Sequence, residues 1–281
     1  MTDCAWLHDP WACVELTTRL AGVSVAVSAA EWLAARRVFA DDAILGWPLV
    51  RQRSRLRGDG PVARLLGWVF QARGFTVMQV IRLLAGLTLL CLPAHAAARP
   101  AALFLATVAA GLTNLRQFGV GVMGGDRMRL LVLGALTLRE LTPDSEPVAR
   151  ATLWFLAAQC ALAYCVSGVL KWRNSAEWRQ GTALALLLRQ KFMTDTRLGD
   201  WLWAHPGLNR AGTWGVLALE VGFPLALVGG GPVAAVFVGG TFLMHLGIGQ
   251  FFGMALFIWA FLATYPAVLF TSAQLRGWLD R

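Results

Sequence analysis

Four side chains lie within or at the ends of hydrophobic runs and could do chemistry there: Arg82, Lys171, Glu220 and His245. An ionisable residue near the centre of a bilayer costs at least ~2.5 kcal/mol, so each needs a partner or a purpose. Lys171 is the most informative. It is one of two lysines against 23 arginines, and it stands where the charge-free stretch Ala151 to Leu170 gives way to Lys171-Trp172-Arg173-Asn174. On a helix, Ser167 and Gly168 lie one turn before it and Tyr164 two turns before, all on one face. Small residues below a lysine let a neighbouring backbone or a flat ligand approach closely. A lysine held in a desolvated pocket can act as a base. The alternative is an interfacial anchor.

The other three divide in the same way. Glu220 precedes Pro224 by four residues, so the proline ring opposes the carbonyl of residue 220 and removes a helix hydrogen bond. A kink beside a carboxylate lines a cavity; a structural partner to an arginine is the other account. His245, with Thr241 one turn before and Gly249 one turn after, is the one histidine or charged residue between Glu220 and Arg276. It is either a proton relay or hydrogen-bonded packing. Arg82 does not shed its proton and serves poorly as an acid or base. A salt bridge to Glu31, or snorkelling, is its structural role.

The elements that must position these residues are membrane helices. The chain is 57% hydrophobic and only 15% charged, with a mean hydropathy of +0.57; in soluble domains charge approaches a quarter. Val221 to Phe270 runs for fifty residues without Asp, Glu, Lys or Arg, enough for two crossings joined by a turn. The expected fold is all-α: a polytopic integral membrane protein of one domain, residues 1–281, with about eight transmembrane helices. They are predicted at about Leu16–Phe39, Phe75–Leu92, Ala101–Leu115, Met128–Leu138, Ala151–Leu170, Gly212–Val228, Val233–Phe252 and Met254–Phe270. The fourth is too short to cross alone unless it starts earlier, through the glycine-rich Gly119 to Gly125. A cavity is expected between the third, fifth, sixth and seventh.

Two long connections are basic: Arg36 to Arg73 is net +5 and Lys171 to Arg210 is net +4. Both hold amphipathic stretches, Val62–Phe70 and Glu177–Leu188, expected along the interface. Basic loops belong on the cytoplasmic side, which with eight helices puts both termini outside. They also account for the net charge of +9; no nucleic-acid motif accompanies it, and anionic membrane lipids are the expected partners. The N-terminus lacks a basic n-region, so the first helix is read as retained rather than cleaved. Cys4 and Cys13 could pair in an oxidising compartment, or all five cysteines could be unpaired apolar residues. Neither CxxC nor a Cys/His zinc spacing occurs, and no metal site is expected. Arg19-Leu20-Ala21-Gly22 is echoed by Arg82-Leu83-Leu84-Ala85-Gly86, which by itself does not establish a repeat.

The run Tyr164-Cys165-Val166-Ser167-Gly168-Val169-Leu170-Lys171-Trp172, followed by Glu177-Trp178-Arg179-Gln180-Gly181-Thr182-Ala183-Leu184, resembles the signature of the HTTM family. That membrane domain is shared with vitamin K-dependent γ-glutamyl carboxylase. Leu219-Glu220-Val221-Gly222-Phe223-Pro224 and Phe242-Leu243-Met244-His245-Leu246-Gly247-Ile248 agree with it, as does Asn114 with Asp126. The likeness spans the chain from about residue 75 and rests on the order of the motifs. It implies that Lys171 is the base towards a reduced quinone, menaquinol or vitamin K hydroquinone, with His245 and Glu220 positioning or relaying protons. It also implies Tyr164, Gly168, Asn114 and Trp178 as the residues around that cofactor.

This chain departs from the carboxylase in three ways. No histidine lies near Thr113-Asn114-Leu115, the chain ends about ten residues after the eighth predicted helix, and the basic loops turn Lys171 towards the cytoplasm. Full γ-carboxylation is therefore not expected. Short stand-alone members of the family include the membrane protein of the sporulation-delaying toxin operon, so maturation of a small secreted peptide is the alternative chemistry implied. A bacterial-type cytoplasmic membrane is the expected location. The rival reading is non-enzymatic: an assembly, immunity or transport component whose polar residues hold helices together.

Overall fold

The computed structural model describes residues 5–53, 60–117, 123–190 and 196–279. All regular structure among them is helical. In chain order the helices are α1 (Pro10–Ala34), α2 (Trp47–Arg53), α3 (Pro61–Phe70), α4 (Ala72–Cys91), α5 (Ala98–Gln117), α6 (Gly124–Arg139) and α7 (Glu146–Asn174). There follow α8 (Ala176–Gln180), α9 (Ala183–Leu188), α10 (Arg197–Ala204), α11 (Pro206–Gly222), α12 (Leu225–Val228), α13 (Gly230–Phe252), α14 (Leu256–Leu262) and α15 (Tyr265–Leu279). Short 3-10 turns occupy Ala5–His8 and Arg36–Phe39.

Six spans among the described residues are long and apolar enough to cross a membrane: α1, α4, α5, α7, α13 and the α14–α15 stretch Leu256–Leu279. The expected count of eight is therefore not met, although all eight apolar runs are helical. Two fall short for different reasons. α6 has 16 residues, about 24 Å of helix against a hydrocarbon core of about 30 Å; of the glycine-rich stretch proposed to lengthen it, only residues 123–125 lie within the described residues, and Met123 is extended rather than helical. The run around Glu220 is broken at Pro224, so that α11 ends at Gly222 and α12 starts at Leu225, as the missing N–H of proline requires.

Local chemistry accounts for several helix starts. α1 opens on Pro10, whose fixed φ suits the first helical position, and the Asp9 carboxylate accepts from Trp11 N at 2.9 Å. α3 and α11 likewise begin on prolines. The expected interfacial stretch Val62–Phe70 forms α3, whereas Glu177–Leu188 divides into α8 and α9 at Gly181, a left-handed residue with φ +78°.

Contacts group the chain into two compact units. One comprises Val14–Thr152 with Trp259–Ala263; in it α4 packs on α3 and α5, and α5 packs on α6. Arg116 ties its pieces together from α5, donating from Nε to Phe70 O at 3.2 Å and from Nη2 to Leu45 O at 2.9 Å, with its cationic carbon 4.4 Å from the Phe75 ring centre. α1 and α4 meet at Gly22 and Gly86, where a Cβ on Gly22 would come within 2.8 Å of Gly86 O, and one on Gly86 within 2.7 Å of Ala26 N. The two echoed segments thus touch at their glycines. The other unit comprises Met1–Cys13, Leu153–Ile258 and Thr264–Arg281. Here α13 packs on α11, α12 and α15, and the turn at Ala5–His8 packs on α15. Cys13 Sγ donates to Trp6 O at 3.4 Å; Cys4 lies outside the described residues.

Candidate functional site

The site is built on the face of α7 that carries Tyr164, Ser167, Gly168 and Lys171. What that face can do is decided by α11, which lies against it at Gly168. A Cβ there would meet Glu220 Cβ at 2.9 Å and Val221 N at 3.0 Å, so only glycine permits this approach. The closeness brings Glu220, 5% exposed at its side chain, onto Lys171, 29% exposed. Lys171 Nζ donates to Glu220 Oε1 and, at 3.2 Å, to Ser167 Oγ. Ser167 Oγ donates in turn to Glu220 Oε1 at 3.3 Å. The other carboxylate oxygen, Glu220 Oε2, is buried and has no hydrogen-bond partner among the described residues.

Trp178 completes this group, its ring centre 5.0 Å from Lys171 Nζ, a distance at which an ammonium is drawn to an aromatic face. The short helix α8 holds it there. Ser175 caps α8 by accepting from Trp178 N at 3.4 Å, and its hydroxyl donates to Glu177 Oε2 at 2.7 Å. That last bond holds the exposed Glu177 carboxyl below the usual carboxylate range.

One turn of α7 closer to its N-terminus lies a second polar group. Tyr164 OH is 2.7 Å from His245 Nε2 and 3.1 Å from Tyr265 OH, and Tyr265 OH is 3.1 Å from Thr241 Oγ1. All four residues are buried. Their surroundings are aromatic: Phe223 packs on Tyr164 with ring centres 4.4 Å apart, and Phe257 stacks on His245 at 5.9 Å. Tyr164 is the hub, because a single hydroxyl both donates and accepts. Tyr164→Phe is expected to lower the unfolding free energy by about 1 kcal/mol, since it removes the buried hydroxyl bonded to His245 Nε2 and Tyr265 OH. A detergent-solubilised denaturation midpoint equal to wild type would count against this hub.

Of the residues singled out from the sequence, Lys171, Glu220, Trp178 and Gly168 come together in one group and Tyr164 and His245 in the next. Glu220 pairs with a lysine, not with an arginine. Asn114 lies in the other unit, where its amide donates to Asp126 O at 3.3 Å and links α5 to the start of α6. Arg82 is not paired with Glu31; its partners are Gln79, Thr113 and Ser28. Tyr265 was not anticipated, and a signal for it was present: the chain has two tyrosines, and the fold bonds them to each other.

Helices of membrane-crossing length around buried polar groups are the make-up of an integral membrane protein. No protein-family model, curated protein or solved structure matches the chain.

Proposed function

We propose that this is an integral protein of a bacterial-type cytoplasmic membrane, resembling the HTTM domain, that binds a reduced isoprenoid quinone and does base-assisted redox chemistry at Lys171. The alternative chemistry at the same site is the modification or maturation of a small secreted peptide. The observation that carries it is the Lys171–Ser167–Glu220 group, with Glu220 Oε2 left as a buried acceptor lacking a donor among the described residues. A hydroxyl-bearing ring fits that group: Oε2 would accept from the hydroxyl, Lys171 would sit beside it, and Trp178 offers a flat face. When bound, a quinol would supply two electrons and two hydroxyl protons, with molecular oxygen as the electron acceptor. Lys171 would serve as the base towards that hydroxyl. The Tyr164–His245–Tyr265–Thr241 chain would pass protons onward.

The same ion pair also supports a second reading. It joins α7 to α11, which a non-enzymatic assembly, immunity or transport component would need equally. Oxygen uptake by the purified protein supplied with menaquinol or vitamin K hydroquinone separates the two. Uptake above that of the quinol alone supports the catalytic reading, and background rates sink it. Lys171→Arg adds a second discriminator, because arginine keeps the charge and loses the base. Full loss of uptake with an unchanged unfolding midpoint is expected.

A further inference from the structure

Arg82, in the middle of α4, is 0% exposed, and the partners of its guanidinium are all neutral. Nη1 donates to Gln79 Oε1 at 2.6 Å and Thr113 Oγ1 at 3.4 Å, and Nη2 donates to Ser28 Oγ at 3.3 Å. Arg129 of α6, 3% exposed, reaches the same serine: Nη1 donates to Ser28 Oγ at 3.0 Å and to Asp126 Oδ1 at 3.3 Å, and Nε donates to Ser24 Oγ at 3.0 Å. Two guanidinium groups therefore share one hydroxyl oxygen, with a single carboxylate bonded to either. Two donors, Arg82 Nε and Arg129 Nη2, are buried and have no hydrogen-bond partner among the described residues. Glu31, three residues beyond Ser28 on α1, is exposed and makes no hydrogen bond or close ion pair with either arginine.

The imbalance is physically expensive. Asp126 acts electrostatically on both arginines and Glu31 on Arg129, yet two buried guanidinium donors stay unbonded. Arginine does not relieve this by losing its proton, and a buried charge short of bonded partners is costly enough in a membrane protein to mark a functional position. Guanidinium donors on two different helices suit a group with several acceptor oxygens and a negative charge. We propose that the Arg82–Arg129 cluster, inside the unit formed by α1, α4, α5 and α6, is a binding site for an oxyanion, a carboxylate or phosphate group. Arg82 Nε and Arg129 Nη2 are the donors it engages. The site is independent of the Lys171 chemistry and stands or falls separately from it.

The test is the thermal unfolding midpoint of the purified full chain in a neutral detergent, titrated with inorganic phosphate or acetate against chloride at matched ionic strength. A parallel arm compares nanodiscs of phosphatidylglycerol with nanodiscs of phosphatidylcholine. A saturable rise of several degrees is expected in at least one arm, because a ligand bound only by the folded state stabilises it. A response to phosphate or acetate in detergent identifies a free anion, whereas a response confined to phosphatidylglycerol identifies a lipid headgroup. Arg82→Gln is expected to abolish the response. Gln79→Glu tests the same point with both arginines intact: a carboxylate placed beside Arg82 should raise the midpoint without added anion and remove the response. No rise in any arm, or an undiminished rise in Gln79→Glu, overturns the proposal.

Discussion

Lys171→Met is expected to lower quinol-dependent oxygen uptake at least ~100-fold, the low end of what a positioned base contributes. The substitution keeps an unbranched stem as far as Cε and removes the nitrogen. It also strands the Glu220 carboxylate, 5% exposed, with Ser167 as its remaining donor among the described residues. Breaking a buried ion pair costs about 3–5 kcal/mol, and the partial exposure of Lys171 places this one at the lower end. Lost activity could thus follow from lost stability alone. The double variant Lys171→Met with Glu220→Leu separates the two effects. An apolar pair of similar volume replaces a buried ion pair with little or no loss of stability, so the unfolding midpoint should recover while oxygen uptake stays at background. If uptake recovers with the midpoint, Lys171 is a strut and the base assignment fails.

Gly168→Leu is expected to cost about 3 kcal/mol of unfolding free energy, at the upper end for overpacking. Its first side-chain atom would meet Val221 Cγ2 at 2.8 Å, Glu220 Cβ at 2.9 Å and Val221 N at 3.0 Å. Two of these belong to the backbone or lie next to it, so no rotamer change clears the space and α11 must shift away from α7. The shift would draw Glu220 from Lys171, so quinol-dependent uptake should fall together with stability. Gly215→Ala on α11 is the control, since nothing lies within 4 Å of its added methyl. There the gain in helix propensity, about 1 kcal/mol, should appear as a slightly raised midpoint. Equal midpoints for the two variants would mean that α7 and α11 do not pack as closely as Gly168 requires.

Apolar run length made the helices legible, because a helix that meets lipid has to be apolar for most of its length and satisfy its own backbone. Counting crossings from it went wrong where length and continuity fail, at the 16-residue α6 and at the Pro224 break. The α7 face was legible too, since residues three, four and seven apart must share a side. Which residue meets Lys171 was not. Glu220 lies 49 positions away, and the pairing is set by how closely two helices approach, which depends on Gly168 and is invisible to hydropathy. The same holds for Arg82: Glu31 offered the obvious opposite charge, yet the serine one turn earlier on α1 is what the guanidinium reaches. Arg129 drew no notice in the sequence because it falls in the short α6, beside other arginines. Tyr265 falls among aromatic and small residues that look like ordinary packing until its hydroxyl is placed.

The glycine contact between α1 and α4 acts as a gauge for the buried arginine. Gly86 sits one turn beyond Arg82, and Gly22 sits in the turns of α1 that precede Ser28. With main chain meeting main chain there, the separation of the two helices is fixed by atoms that have no rotamers and cannot turn aside. Arg82 reaches Ser28 at 3.3 Å only at that separation. A single methyl at either glycine would therefore act at a distance, opening the gap and leaving the guanidinium short of its serine while touching neither of them.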